Sequence, residues 1–161
     1  MVVKVDEKTL NAIVETVVSE LSPQDDMTLA AARRLSRKVM EEAARIGVKA
    51  VVAVSNKAAN PVLVECMDDS FIASYDIAVG KAYTVCALKM PTSELKKLAQ
   101  PGGSLYGIQF TNQGKIVIFG GGEPLYNKDG VLIGGLGVSG GTEAQDTALA
   151  EYGKKVFSAG R

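Results

Sequence analysis

The sequence predicts an α+β fold in which helices cover a sheet of about five mainly antiparallel strands. Three observations lead to this class. The 161 residues are enough for one hydrophobic core. The predicted elements follow the order helix, helix, strand, strand, helix, short helix, three strands, helix, which is not the strict alternation of a doubly wound sheet. Turn signals between neighbouring strands favour antiparallel pairing.

The N-terminal segment is predicted to form an amphipathic helix. Asp6 can cap it, and apolar residues recur every three or four positions along one face: Leu10, Ile13, Val14, Val17, Val18 and Leu21. The polar stretch around Pro23 is typical of a hinge. We therefore divide the chain into a helix at residues 1–22, a hinge at 23–27 and a domain at 28–161.

The domain is predicted to begin with a helix at 28–46, which Gly47 ends. Its inward residues are Leu29, Ala32, Leu35, Val39, Ala43 and Ile46. Valine-rich runs at 49–54 and 61–67 then predict a hairpin with a loop longer than two residues. Pro61 is acceptable there as the first residue of its strand.

A mostly buried helix is predicted at 70–88, because its apolar residues lie all around the helical wheel: Ile72, Tyr75, Ile77, Val79, Ala82, Tyr83, Val85 and Cys86. Pro91 interrupts the chain after it. Thr92 is then expected to cap a short helix at 93–99.

Three strands are predicted in the C-terminal half, at 106–111, 115–119 and 131–138. Asn112-Gln113-Gly114 joins the first two as a hairpin signal. The glycine-rich stretch 120–124 is predicted to be a loop.

Gly135, Gly137 and Gly140 match the GxGxxG pattern of dinucleotide-binding folds. That function needs a second parallel strand and an acidic residue about 20 positions further on, whereas only 21 residues follow Gly140 and a helix takes most of them. We therefore interpret these glycines as a strand that accepts close packing. Thr142 begins the last helix with a capping box, and exposed amides there could attract a carboxylate or phosphate, which makes Ser139 and Thr142 candidate ligand contacts.

Composition excludes several function classes. Eighteen basic residues balance eighteen acidic ones, which argues against nucleic-acid or membrane-surface binding. Histidine is absent, and Cys66 and Cys86 match no metal-ligand spacing, so we expect no metal site and two reduced thiols. Asp6 and Glu7 interrupt any secretory leader, so a cytoplasmic location is expected.

Four further residues are candidate ligand contacts. Lys81 lies among apolar neighbours and needs a carboxylate, either Asp146 or a ligand group. Glu123 is predicted to lie on a loop facing a pocket or solvent. Tyr83 and Tyr106 could line a flat aromatic ligand or belong to the core. Because no carboxylate pair suited to acid–base work can be identified, we assign no catalytic residue and leave enzymatic activity open.

Several motifs in order resemble one family. They are "TLAAARRLSRKVMEEAARIGVKAVVAV" (28–54), "MDDSFIASYDIAVGKAYTVCALKMPTSELKKLAQPGGSLYG" (67–107), "IVIFGGGEPL" (116–125) and "DGVLIGGLGVSGGTEAQD" (129–146). The chain resembles the GlcG/HbpS/PduO C-terminal family, also called the haem-degrading-domain family. "ALKMPTSEL" and "GGLGVSGGTEAQD" look most similar to the domain that follows the adenosyltransferase in PduO-type proteins.

The resemblance implies a profilin-like fold, self-association into dimers or larger rings such as octamers, and binding of haem or a corrinoid (cobalamin). With no histidine, the conceivable axial ligands within the chain are Met, Cys, Tyr or Lys. Residues 1–21 also resemble the amphipathic tags that send enzymes into bacterial microcompartments, with shell or cargo proteins as partners. The alternatives are that this helix packs on its own domain or a neighbouring subunit, and that the protein is a scaffold or a small-molecule enzyme with a pocket between subunits.

Overall fold

The four strands form one antiparallel sheet in the order β2-β1-β4-β3. They are β1 (Val51–Asn56), β2 (Pro61–Cys66), β3 (Gly122–Tyr126) and β4 (Leu132–Ser139). The helices are α1 (Glu7–Leu21), α2 (Leu29–Arg45), α3 (Ala73–Leu88), α4 (Thr92–Leu98) and α5 (Glu143–Ala159). This architecture comes from a computed structural model, which describes residues 6–21 and 25–160.

Helices cover both faces of the sheet. On one face α2 and α5 pack on residues such as Val52, Val54 and Leu136 and enclose the larger core. On the other face Ala78 and Ala82 of α3 contact β1. Because β1 and β4 are central and covered on both sides, nearly all of their residues are buried. None of the helices in the two described ranges is long and apolar enough to cross a membrane.

Side chains cap the starts of α1, α2 and α5. The Asp6 carboxylate accepts a hydrogen bond from the Thr9 amide at 2.9 Å, and the Thr28 hydroxyl accepts one from the Ala31 amide at 3.2 Å. Thr142 and Gln145 form the complete capping box at the start of α5. The caps predicted at Asp6 and Thr142 are confirmed, because each cap depends only on residues within a few positions.

The prediction of strands at 106–111 and 115–119 is wrong. Short 3₁₀ turns lie at 108–110 and 112–114, and residues 115–119 have no regular structure. Asn112, Gln113 and Gly114 all adopt positive φ and coil the chain instead of reversing it as a hairpin. The sheet therefore has four strands. The stretch 120–124, predicted to be a loop, contains most of β3, with Pro124 on an edge strand where a missing N–H is tolerated.

Three smaller predictions also fail. Leu29 is 45% exposed because it lies in the first turn of α2, outside the buried face. Thr92 lies inside α4 after Pro91 and does not cap it, since its hydroxyl is used by the Gly122 amide. Ile72 is 97% exposed, not buried. The reason is its position in the fold. Ser74 contacts Ser139 at the end of β4, so Ile72 and the residues before it extend beyond the sheet and are not covered by it.

Candidate functional site

The glycines of the GxGxxG match allow a helix to lie directly on β4. A methyl group added at Gly135 would lie 2.5 Å from the Ala82 carbonyl oxygen, and one at Gly137 would collide with the Ala78 carbonyl oxygen. Both carbonyls belong to α3, and the strands on either side of β4 are antiparallel. The close-packing interpretation is therefore confirmed, and the βαβ unit of a dinucleotide site is not formed.

Lys81 lies in a fully buried polar centre at the end of the sheet. Its ammonium donates to the Val138 carbonyl oxygen at 2.7 Å and to the Asp146 carboxylate at 3.0 Å, as one alternative predicted. The ring of Phe119 lies 4.9 Å away. Burial lowers the pKa of Lys81, while the nearby Asp146 opposes that shift. All the polar contacts of this ammonium come from the protein itself, so the centre joins α3, β4 and α5.

The glycine-rich segment 120–122 packs against this centre. Gly121 has a positive φ of 109°, and a methyl group there would lie 2.6 Å from the Lys81 nitrogen. The Gly120 amide donates to Glu143, which also accepts from Lys96 at 2.6 Å. The bonds to Lys96 and to the Gly120 amide lower the pKa of Glu143. The segment is thus held by the first turn of α5 and leads the chain into β3.

Glu123 occupies a different place, on the α5 side of edge strand β3. Its carboxylate accepts a hydrogen bond from Lys154 at 2.8 Å. The Glu123 side chain is only 5% exposed, whereas that of Lys154 is 41% exposed. Burial raises the pKa of Glu123, and Lys154 opposes the shift. The prediction that Glu123 lies on a loop is wrong, because the chain pairs with Leu136 of β4 at this position.

A third polar group lies on the outer side of α3. Asn112 donates to the Tyr83 hydroxyl at 3.1 Å, and the Lys115 ammonium lies 5.5 Å from the centre of the Tyr83 ring. Nearby in the chain, Tyr106 is 65% exposed and Phe110 is 83% exposed. We name Tyr83, Tyr106, Phe110, Asn112 and Lys115 the aromatic surface. Its left-handed turn at 112–114 is a costly conformation that the Tyr83 contact helps to hold.

The six candidate contacts do not converge on one pocket. Ser139 is buried and its hydroxyl bonds to Ser74, while the Thr142 hydroxyl accepts the Gln145 amide as a cap. Lys81 is enclosed near these two residues. Tyr83 and Tyr106 belong to the aromatic surface, and Glu123 lies apart on the other side of the sheet.

Sequence reasoning missed the partners Lys115, Asn112 and Lys154. The first two lie in a segment predicted to be strand and hairpin, and the third reaches Glu123 across 31 positions of chain. Asn112 and Gly114, two residue types that tolerate positive φ, were the available signal for an unusual turn at 112–114. No local sequence pattern indicates which side chain of α5 contacts β3.

The two cysteines lie apart. Cys66 is exposed, whereas Cys86 is buried beside the Ser55 hydroxyl at 3.4 Å. Burial raises the pKa of the Cys86 thiol, which keeps it protonated and unreactive at neutral pH. Within residues 6–21 and 25–160 no three acidic or thiol groups are arranged to hold a metal ion.

Comparison with known proteins identifies several relatives. Residues 27–155 match the family model described as "Haem degrading protein HbpS-like". An uncharacterised 15.0 kDa protein from the dhaT-dhaS intergenic region of Citrobacter freundii is 48% identical over 132 residues, which cover 82% of this chain and 92% of the relative. The corrinoid adenosyltransferase PduO of Salmonella typhimurium is 41% identical over 118 residues, covering 73% of this chain. The match spans only 35% of that PduO protein.

Solved structures share the fold. Klebsiella pneumoniae protein ORFY is 44% identical with a TM-score of 0.80, and the alignment covers 86% of this chain and 96% of ORFY. A PduOC–haem complex is 37% identical with a TM-score of 0.77, covering 81% of this chain and 94% of PduOC. A double mutant of Streptomyces reticuli HbpS is 30% identical with a TM-score of 0.72, and the alignment covers 85% of this chain and 90% of that HbpS chain.

Proposed function

Because the chain belongs to the HbpS-like family of haem-degrading proteins, we propose that it binds haem or a related tetrapyrrole on its aromatic surface. The observation that carries this proposal is the exposure of Tyr106 and Phe110 in the same segment of chain as Asn112 and Lys115, which contact Tyr83. Aromatic rings left in water stack well on a flat macrocycle. A lysine beside them can pair with the carboxylates at its rim.

The donor groups of the chain restrict how iron could be held. Histidine is absent from all 161 residues, so no imidazole of this chain can serve as axial ligand. On the aromatic surface the available donors are the phenols of Tyr83 and Tyr106 and the amine of Lys115. These residues fit a macrocycle held at the surface. Bound haem would supply one-electron chemistry, and the residues of this chain would bind and orient it.

A haemin titration tests the proposal. The Soret band of haemin should shift saturably on addition of the protein, and Y106A/F110A should weaken binding by about tenfold or more, as expected for the loss of two stacking side chains. Tyr126→Ala is the matched control, because Tyr126 is a partly exposed aromatic residue at the end of β3 and lies outside the aromatic surface. Equal affinity of Y106A/F110A and Y126A would contradict the assigned surface.

Cobalamin is the second tetrapyrrole to test, since corrinoid chemistry belongs to the PduO relative. Titration with hydroxocobalamin, followed by its visible absorption, distinguishes the two ligands. Saturation by haemin alone assigns the surface to porphyrins. Saturation by neither ligand removes the tetrapyrrole proposal.

Self-association is the second part of the proposal. Phe71, Ile72 and Tyr75 leave apolar side chains exposed where α3 begins beyond the sheet. Contact between copies would cover this surface and produce a dimer or a larger ring. Light scattering should give a mass of at least two chains, and Phe71→Asp with Ile72→Asp should reduce it to one. A single-chain mass for the unaltered protein would contradict this part.

The N-terminal helix is proposed to target the protein to a bacterial microcompartment through shell or cargo proteins. The apolar side chains of Leu10, Ile13, Val14 and Val17 in α1 are all substantially exposed. The rest of the proposed segment, residues 1–5 and 22–24, lies outside the described residues. Fusion of residues 1–27 to a fluorescent protein should produce co-sedimentation with shells, and Val14→Asp should abolish it. Shell binding by a chain lacking residues 1–21 would argue against the tag.

A further inference from the structure

An open cleft lies along the free edge of β3, apart from the aromatic surface. It has a volume of about 460 Å³ and is bounded by the start of α4, by β3 and by the C-terminal half of α5. The polar groups around it are Ser93, Glu94, Glu123, Glu151, Lys154 and Lys155. Nothing in the proposed tetrapyrrole function uses these residues.

The Glu123 carboxylate is built into the wall of this cleft. Its neighbour on the same side of β3, Leu125, is completely buried in the larger core, so Glu123 cannot turn away without disrupting the strand. Lys154 donates to its Oε2 atom. Within residues 6–21 and 25–160, no side chain or amide donates to its Oε1 atom. Because Glu123 lines the cleft, we place this oxygen on the cleft side of the carboxylate.

The two partners of this ion pair differ in how firmly they are held. The Glu123 side chain is buried in the wall, whereas the Lys154 ammonium lies at the surface on a flexible four-carbon stem. The Lys154 side chain can therefore move into solvent, and the buried carboxylate left behind must then take up a proton or regain a cationic partner. An ammonium group from another molecule satisfies the same requirement.

The charges of the cleft favour a cation. Three carboxylates (Glu94, Glu123 and Glu151) face two ammonium groups (Lys154 and Lys155), which leaves one net negative charge when all are ionised. Glu94 and Glu151 both act on the Glu123 carboxyl as nearby negative charges. A metal ion does not fit, because no arrangement of three or more metal-binding groups occurs in the described part of the chain.

We propose that this cleft binds a small molecule through a primary ammonium group, which donates to the open Oε1 atom of Glu123 and replaces Lys154 on Oε2. The hydroxyl of Ser93 and the ammonium of Lys155 are placed on the walls to contact polar or anionic groups elsewhere on the same ligand. The ligand class is therefore a small aliphatic amine or an amino acid.

Titration with n-butylammonium chloride tests this site, with potassium chloride at equal ionic strength as the control for non-specific salt effects. In ¹⁵N-labelled protein the amides of residues 122–125 and 151–155 should shift saturably with the amine alone. Glu123→Gln should abolish saturation. Lys97→Met, which removes an exposed charge outside the cleft, should bind like the unaltered protein.

Lys154→Met gives an independent result, because it removes the ammonium group of the protein that competes with the ligand for the Glu123 carboxylate. At about pH 8, which favours the ionised form of a carboxyl whose pKa is raised, this variant should bind n-butylammonium about tenfold more tightly than the unaltered protein. Equal or weaker binding by Lys154→Met would overturn the proposal even if Glu123→Gln failed to fold. Shifts of the same size with potassium chloride would also overturn it. None of these outcomes depends on haemin binding.

Discussion

Lys81 is a charged residue in a site that water does not reach. The cost of removing its ammonium from water is offset by the Asp146 carboxylate and the Val138 carbonyl oxygen. The sequence predicted both that Lys81 would need a carboxylate and that Asp146 could supply it, because a lysine among apolar residues has few other solutions. This pairing joins α3 to α5 through two residues that are 65 positions apart in the chain.

Breaking this pair should be costly, whereas removing both charges should not. Lys81→Met leaves Asp146 buried without its cation and should lower the free energy of unfolding by about 3 kcal/mol. The double variant K81M/D146N should lose less than the sum of the two single variants, because neither charge is then left unpaired. Urea denaturation of the four proteins measures the coupling. Strict additivity would show that the two side chains do not stabilise each other.

Glu123 should make stability depend on pH in a defined direction. Burial raises its pKa above the ordinary value of 4.5, so the folded protein holds this proton to a higher pH than the unfolded chain does. The protein therefore loses stability as pH rises from 4.5 through the folded pKa. Glu123→Gln does not titrate, and its stability relative to the unaltered protein should increase over that interval. Urea midpoints measured between about pH 4 and pH 8 test this.

Glu42 provides a control of opposite sign. Its hydrogen bond with Arg45 lowers the pKa of Glu42, so the stability it contributes is present above 4.5 and is lost as pH falls through the folded pKa. The stability of Glu42→Gln relative to the unaltered protein should therefore fall as pH rises to 4.5 and should not change further above it. If both variants showed the same slope, Glu123 would not be the source of the pH effect.

At the scale of elements, the predictability of each segment depends on how local its determinants are. Helices α2 and α5 begin at caps formed by neighbouring residues, and these starts were predicted correctly. The hairpin of β1 and β2 was also predicted, since its two strands are adjacent in the chain. The strand predicted at 115–119 does not form, because the Thr84 hydroxyl of α3 accepts the hydrogen bond of the Val117 amide that a sheet would have used.

The fit between α3 and β4 depends on glycine. A methyl group at Gly137 would collide with the Ala78 carbonyl oxygen, and neither backbone can move freely in a buried layer. Gly137→Ala should therefore destabilise the protein by about 2 kcal/mol in urea denaturation. Gly160→Ala is the control, because the nearest atom to its added methyl group is 3.4 Å away. Equal stability of the two variants would show that α3 does not rely on this close contact.

At the scale of the whole molecule, the family predicted from several ordered motifs and the α+β fold predicted from the order of elements are confirmed. Such motifs fix a family because they constrain many positions at once. They do not fix which side chains meet, since that depends on how helices cross strands. Glu123 and Lys154 show this. Glu123 is a candidate from the sequence, whereas its partner Lys154 follows only from the packing of α5 on β3.

The central claim is that the aromatic surface holds a tetrapyrrole, and mapping bound haemin by NMR tests it most directly. Paramagnetic haemin broadens the amide signals of residues close to it. We predict that substoichiometric haemin broadens Tyr83 and residues 106–115 first and leaves residues 151–155 of α5 sharp. Broadening centred on α5 or on the Glu123 cleft, or no selective broadening at all, would contradict the account.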